Sequence, residues 1–324
     1  MLHAPAMRHF LDFEKPIAEL EGKIEELRRM SEGETLNIAD EIARLTDKAD
    51  KQLRATYAKL SAWQKTQVAR HPQRPKANDY VRALITDFTP LAGDRAFADD
   101  AAVIGGLGRF QGRSVIVLGT EKGSDTDSRV AHNFGMARPE GYRKARRLIE
   151  LAGRFGLPVL TFVDTSGAFP GIDAEARGQA EAIARSIEAC LDAPVPVIAT
   201  IIGEGGSGGA IALAAGDAIL MLEHAVYSVI SPEGCAAILW KDAAQAPAAA
   251  EALRITAEDL KRLKLIDTII PEPMGGAHRA PEEALAAVRT ALAAALTPLL
   301  ALDGATLRSR RRQKFLDMGR EALA

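Results

Sequence analysis

Residues 195–216, VPVIATIIGEGGSGGAIALAAG, constrain the fold more than any other stretch of the chain. The apolar, β-branched run Val195, Val197, Ile198, Thr200, Ile201 and Ile202 has the composition of a buried strand. Gly203, Gly205, Gly206, Gly208 and Gly209 follow and read as a turn, after which residues 210–215 are small and helix-favouring. A strand that passes through glycines into a helix leaves the first helical N–H groups without internal partners, and the helix dipole adds positive potential there. Such a place binds negative charge, either a resident phosphate or an oxyanion that exists only during reaction.

The same glycines satisfy several patterns. Gly203 to Gly208 match the dinucleotide fingerprint G-x-G-x-x-G after a strand and before a helix. Against that reading, the turn lies far along the chain, the following helix is short, and the next acidic residue, Glu223, arrives early for a ribose contact. Gly205 to Gly209 also match the nucleophile elbow G-x-S-x-G, with Ser207 as nucleophile. A serine hydrolase would then need Asp217, Asp242 or Asp267 with His224 or His278, but His224 follows too closely and His278 sits in a proline–glycine linker. In the third reading the peptide N–H groups of Gly205 and Gly206 form an oxyanion hole with no side-chain nucleophile. Glycine then serves because a Cβ would block the reacting group and because the turn visits positive φ. A purely structural role, close helix packing, is the bland alternative.

The remainder of the chain surrounds this unit with helices and further strands. Residues 14–30 and 37–60 carry helical apolar stripes, broken by SEGETLN, with Asn37 or Asp40 as the second cap. They predict an antiparallel hairpin, packed on its own domain or serving a subunit interface. HPQRPKAN at 71–78 is a connector, and 80–88 reads as helix. Residues 102–110 and 114–118 read as strands joined by a tight hairpin at Gln111-Gly112-Arg113. TEKGSDTDSRVAHNFG reads as an exposed loop.

Two helix–strand–glycine units then follow each other. In the first, helix 139–155 leads to strand 159–164, which opens into Thr165-Ser166-Gly167-Ala168-Phe169-Pro170-Gly171. In the second, helix 173–191 leads to strand 195–202 and the central glycines. The repeat implies parallel strands, with ligands at their carboxyl ends. Asp164, at such an end, is a candidate carboxylate or a cap. Short strands at 218–223 and 226–230 follow, then helices at 231–240 and 242–253, a helix capped by Thr256, and an apolar run at 265–270. Beyond the linker at 271–279 come a helix at 281–302 and an amphipathic one at 307–318 bearing Arg308, Arg310, Arg311, Arg312 and Lys314. That cluster reads as a solvated helix face, with contact to an acidic partner as the alternative. The expected divisions are an N-terminal helical hairpin (1–75), a core (76–275) and a C-terminal helical segment (276–324).

Composition narrows the function. A formal net charge of −2 over 324 residues argues against a general nucleic-acid-binding surface. Two cysteines, Cys190 and Cys235, with no CxxC pair, give no basis for a zinc site or a disulfide framework and accord with a reducing, cytoplasmic setting. No apolar run reaches membrane-spanning length. No H-E-x-x-H or Walker A motif occurs, so a metal site in this chain is not expected.

Taken together, FLDFEKPIAELE, HPQRP, GDRAFADD, NFGMARPEGYRKA, DTSGAFPG, GEGGSGGAIA, YSVISPEGCAAILWK and LKLIDTIIPEPMGGAHR resemble the α subunits of bacterial acetyl-coenzyme A carboxylase carboxyltransferase. The resemblance implies an α/β, ClpP/crotonase-like spiral of ββα units with an N-terminal helical hairpin and C-terminal helices. It implies transfer of a carboxyl group from carboxybiotin, on biotin carboxyl carrier protein, to acetyl-CoA, giving malonyl-CoA for fatty acid biosynthesis. The implied assembly is an α2β2 heterotetramer with the β subunit, which carries the zinc, joined by biotin carboxylase in the ATP-dependent holo-complex. Gly205 and Gly206 would be the backbone oxyanion hole facing the biotin ureido oxygen. Gly167, Ala168, Phe169, Gly171 and Gly208 would line the biotin side. Ser166 and Phe169 stand where the family pattern has proline and tyrosine.

Overall fold

Residues that favour extended backbone and bury both faces build one mixed sheet, seen in a computed structural model that describes residues 9–30 and 37–320. Its strands are β1 (Ile85–Pro90), β2 (Val103–Phe110), β3 (Arg113–Thr120), β4 (Val159–Thr165), β5 (Val197–Gly206), β6 (Ala218–Leu222), β7 (Val226–Ser228) and β8 (Thr268–Ile270). The order is β1-β2-β3-β4-β5-β6-β8, with β7 pairing β5 beyond the end of β6. Strands β1 to β3 are antiparallel neighbours, and every pairing from β3 to β8 is parallel. The β2–β3 hairpin closes as expected, with Phe110 opposite Arg113 and positive φ at Gln111 (48°) and Gly112 (80°), the primed turn that matches strand twist. Every residue of β4 and β5 is buried, which is why both read as continuous runs rather than alternating ones.

The helices are α1 (Lys15–Met30), α2 (Asn37–Tyr57), α3 (Ala62–Ala69), α4 (Ala77–Leu84), α5 (Thr126–Ala131), α6 (Pro139–Phe155) and α7 (Ile172–Ala176). They continue with α8 (Gln179–Asp192), α9 (Ser207–Ala214), α10 (Pro232–Trp240), α11 (Ala246–Leu253), α12 (Ala257–Arg262), α13 (Pro281–Leu299) and α14 (Gly304–Asp317). Helices α1 and α2 pack on each other, and Ile17, Leu53, Tyr57 and Val68 form a small cluster beneath them. The break expected at SEGETLN lies, but for Asn37, outside the described residues. The main core joins Leu148 and Ile149 of α6 to the sheet, and Leu285, Val288, Leu292 and Leu296 of α13 belong to that same core. Among the described residues no single helix is long and apolar enough to cross a membrane; α13 and α14 pass that test only as a pair bent by 116°.

Several expectations need correction. Residues 80–88 are not one helix: α4 ends at Leu84, and Ile85 enters β1, where it pairs with Phe110. β-branched Ile85, Thr86 and Thr89 favour the edge strand over the helix pattern that precedes them. The polar stretch after β3 is not all loop; Asp125 accepts from the Ser128 N–H and caps the short α5. The helix expected over 173–191 is two, broken where Gly178 takes φ 82°. The strand expected to end at Ile202 runs on to Gly206, so the glycines form no free turn.

The basic helix α14 is solvated only in part: Arg310 and Arg312 are exposed, whereas Arg311 is buried. Arg311 is 1% exposed; it meets the Asp217 carboxylate at 2.6 Å and the carbonyls of Cys190, Ala193 and Val195. Arg312 pairs with Asp192 and Lys314 with Asp267. For Arg311, Arg312 and Lys314 the acidic partner is this chain itself.

Candidate active site

The carboxyl ends of β3, β4 and β5 converge, and each delivers charge there. Lys122 follows β3, Asp164 lies near the end of β4, and Glu204 precedes the glycine pair of β5. Lys122 Nζ lies 2.7 Å from Asp164 and 3.3 Å from Glu204. Arg70, just past α3, meets Glu204 at 2.6 Å and Glu233, in the first turn of α10, at 2.5 Å. The Glu204 N–H donates to Asp164 Oδ1 at 2.9 Å, and Gly203 is glycine because a Cβ there would sit 2.5 Å from that oxygen. Burial alone would raise the Asp164 carboxyl. The charges of Lys122 and Lys76 and the Glu204 N–H outweigh it and hold that carboxyl below the usual carboxylate range. Burial likewise works against the Lys122 ammonium, but Asp164 and Glu204 raise it above its ordinary value.

Strand β5 carries this network directly into α9. Gly205 lies in register with Thr165 on β4 and with Tyr227 on β7, and Gly206 with Ser228. Successive residues of a parallel strand aim their N–H groups at opposite neighbours. The Glu204 N–H follows this pattern on the β4 side, where it meets the Asp164 carboxylate. Ser207, at φ 53°, turns the chain from strand to helix, and no side chain caps α9. The N–H groups of Gly208 and Gly209, in the first turn, have no partner within the helix.

The two glycine loops named from sequence do meet. A Cβ on Gly206 would lie 2.2 Å from the Ser166 carbonyl oxygen, and one on Gly209 would lie 2.7 Å from the Gly167 carbonyl carbon and 2.9 Å from the Ala168 nitrogen. At Gly208 the chain opens outward, and a Cβ would meet nothing nearer than Ile183 at 3.5 Å. The second loop is itself braced. Phe169 donates its N–H to the Ala137 carbonyl and accepts from Gln179, while the Arg138 guanidinium lies 4.2 Å over its ring. Gly171 caps α7 against that ring, beside Ile172, which is 89% exposed. Gly205, Gly206, Gly208, Gly167 and Ala168 therefore share one place, with Phe169 and Gly171 on the adjoining strap.

Sequence reading missed Lys122, Arg70 and Glu233. One signal was available, and for Lys122 alone: a charged residue within two positions of the carboxyl end of a strand, where α/β folds build sites, whereas Arg70 and Glu233 lie at helix ends. The elbow geometry at Ser207 is real, but among the described residues no histidine bonds to it. His224 lies edge-on to Tyr57, and His278 stacks on His71. Nor does any group of three or more His, Cys, Asp or Glu among the described residues have the arrangement to hold a metal ion.

The chain resembles known proteins over nearly its whole length. The family described as acetyl co-enzyme A carboxylase carboxyltransferase-like matches residues 10–319. An acetyl-coenzyme A carboxylase carboxyl transferase subunit alpha of Gluconacetobacter diazotrophicus is 70% identical over 318 residues, 98% of this chain and 100% of the relative. The protein of that name from Acidiphilium cryptum is 69% identical, over 97% of this chain and 98% of its own length. Among solved structures, transcarboxylase 12S superposes with a TM-score of 0.58 at 18% identity, over 70% of this chain but only 42% of that one. A Pseudomonas malonate decarboxylase hetero-tetramer superposes with a TM-score of 0.57 at 20% identity, over 69% of this chain and 88% of that one. These likenesses carry the crotonase-like α/β fold; the curated relatives carry the family and leave the serine hydrolase reading without support. The chain belongs to the acetyl-coenzyme A carboxylase carboxyltransferase family, on its α-subunit branch.

Proposed function

We propose that this chain forms the biotin-facing half of a carboxyltransferase site, in which main-chain N–H groups of the β5–α9 junction stabilise a developing oxyanion. As a member of its family it is a biotin-dependent carboxyltransferase subunit that acts with a β subunit to make malonyl-CoA from acetyl-CoA. The observation that carries the reading is an uncapped helix start that opens at Gly208, held between two glycine loops and backed by a buried ion network.

Carboxybiotin, on its carrier protein, supplies the carboxyl group and, once that group has left, a basic ureido nitrogen. This chain's task is to hold the ureido oxygen while negative charge grows on it. Backbone amides do so without titrating, so no acid or base of this chain need change its protonation. Gly205 and Gly206 are the proposed donors by resemblance, with Gly167, Ala168, Phe169 and Gly171 lining the approach. Because no side chain caps the start of α9, we extend the donor set to Gly208 and Gly209 there. Loss of one such donor costs about 2.7–4 kcal/mol in other enzymes, roughly 10²–10³ in rate. Asp164, Lys122 and Glu204 act by position: they pin the end of β5 so that the amides need no reorganisation when charge appears.

Partner contact fits the surface around the junction. Val229, Ile238, Leu239 and Trp240 are 75%, 70%, 66% and 47% exposed on and beside α10, an apolar set for another chain to cover. We assign that role to the β subunit of an α2β2 assembly, with zinc on β alone. Biotin carboxyl carrier protein and biotin carboxylase complete the holo-complex, and the buried, unpaired Cys190 and Cys235 accord with the cytoplasm.

The test is Gly208→Val in the α–β complex, assayed for malonyl-CoA formation. The added Cβ meets only Ile183, at an ordinary van der Waals distance of 3.5 Å, so folding and assembly should survive while turnover falls about 10²-fold or more. Turnover at the wild-type rate would remove the junction from the mechanism. Ser207→Ala should keep most activity, whereas a nucleophilic serine would not.

A further inference from the structure

Beside the ion network lies a cavity of about 330 Å³ whose walls carry four cations, Arg70, Lys76, Lys122 and Arg129, and two apolar surfaces, Pro72 and Phe134. No carboxylate lines it. We propose that this cavity binds a phosphate group, carried by a ligand whose neighbouring part is apolar.

The four cations are not equivalent, and the difference points to a ligand. Arg70 and Lys122 are met from behind by Glu204, Glu233 and Asp164, which fixes their heads without filling the cavity. Among the described residues Lys76 has no such partner. It is 7% exposed, and its ammonium reaches only the His71 carbonyl, at 3.5 Å. Three N–H donors on a buried charge need acceptors, and one long contact to a neutral oxygen leaves that need unmet. Burial pulls the Lys76 ammonium below its ordinary value, against the pull of Asp164 and Glu121 and with that of Lys122 and Arg74. A bound anion would reverse that shift. Arg129 is half-buried and makes no ion pair or side-chain hydrogen bond among the described residues. Its neighbour across the opening is Phe134, 52% exposed and held at φ 55°.

The chemistry selects the ligand class. Converging point charges and a guanidinium suit a doubly charged head better than a single carboxylate. The volume admits one such head and not a polyanion backbone. Pro72 and Phe134 offer the remainder of the ligand an apolar wall. The inference stands on these side chains alone, so its failure would leave the carboxyl-transfer reading untouched.

The experiment is calorimetric titration of inorganic phosphate into the assembled α–β complex at low salt. Wild type should bind one phosphate per α chain, with K76Q and R129Q each weakening it roughly tenfold or more, the effect of losing one charge-assisted contact. K76R should retain binding, and R129Q, at a half-buried site, keeps the test valid where K76Q disturbs folding. Absence of saturable binding, or equal affinity in K76Q/R129Q that assembles normally, would overturn the proposal. Coenzyme A then separates two sources of the phosphate. If the group belongs to coenzyme A, saturating coenzyme A abolishes phosphate binding and R129Q raises the KM for acetyl-CoA but not for acetyl-pantetheine. If it belongs to another phosphate ester, phosphate binds alongside coenzyme A with unchanged affinity.

Discussion

Lys122 illustrates what a single side chain does here. Its side chain is 16% exposed, against 2% for Asp164 and 8% for Glu204, and it answers both carboxylates at once. Lys122→Met would leave the buried Asp164 carboxylate without its ion-pair partner, while Arg70 still meets Glu204. Breaking such a pairing typically costs about 3–5 kcal/mol. Urea unfolding should register a loss of that size, and Lys122→Arg should recover part of it. A loss under about 1 kcal/mol would mean that solvent already screens the group, as at an exposed ion pair. Gly206 marks the opposite limit, where space rather than charge decides. Gly206→Ala must push back the Ser166 carbonyl from a 2.2 Å contact, so stability should fall by about 1–3 kcal/mol together with activity. A variant that kept its melting temperature but lost turnover would locate the effect in chemistry instead, as we expect only at Gly208.

Elements show where local sequence was sufficient and where it was not. The helix read over 139–155 is α6 to the residue, because proline opens it and Gly156, at φ 66°, closes it. Thr256 was readable as a cap and does accept from the Asp259 N–H. By contrast, nothing between 173 and 191 but Gly178 announces the break between α7 and α8, and one glycine in a helical pattern is ambiguous. The ion network was illegible for another reason: Arg70 meets Glu204 across 134 positions and Glu233 across 163, so only the assembled sheet joins them. The arginine of α14 misled because a charge in an amphipathic helix is ordinarily solvated, whereas Arg311 finds its acceptors some 120 residues away in the chain. Two glycines test this element-level logic with opposite signs. At Gly178 an added Cβ meets nothing closer than 3.9 Å, so Gly178→Ala should lose about 1–2 kcal/mol to backbone strain alone. At Gly22, exposed within α1 and with open space around it, Gly22→Ala should gain about 0.5–1 kcal/mol. Thermal melts of both variants check the pair, and equal signs would refute it.

At the scale of the molecule, the helical hairpin is tied to the sheet by buried titratable groups, which gives the whole chain a pH dependence. Arg74 donates to the Ile202 carbonyl on β5 and pairs with Glu272 at 2.6 Å, both side chains fully buried. His278 stacks on His71 at 3.7 Å, with both ring nitrogens buried and unpartnered, while His71 holds the His9 carbonyl. Burial first, then the charges of His71, Arg74 and Arg279, brings the His278 imidazole down to about 2. His71 and His224 are lowered too, chiefly by burial. Glu272 is brought down to about 2 against its burial, by Arg74 above all. All these groups act in one direction. Below about pH 6.5 the unfolded chain takes up protons that the folded histidines refuse, so stability falls. Glu272 adds to the fall only below its ordinary value of 4.5, as pH approaches about 2. Between pH 6.5 and 4.5 the histidines therefore set the slope, about 1.4 kcal/mol per pH unit for each proton. His278→Phe keeps the stack on His71 but removes one titrating group. Unfolding midpoints in urea at pH 7, 6 and 5 should then show a slope smaller by about one proton. Should the slope stay as in wild type, His278 would have to be charged in the folded chain, which its two buried, unpartnered nitrogens oppose.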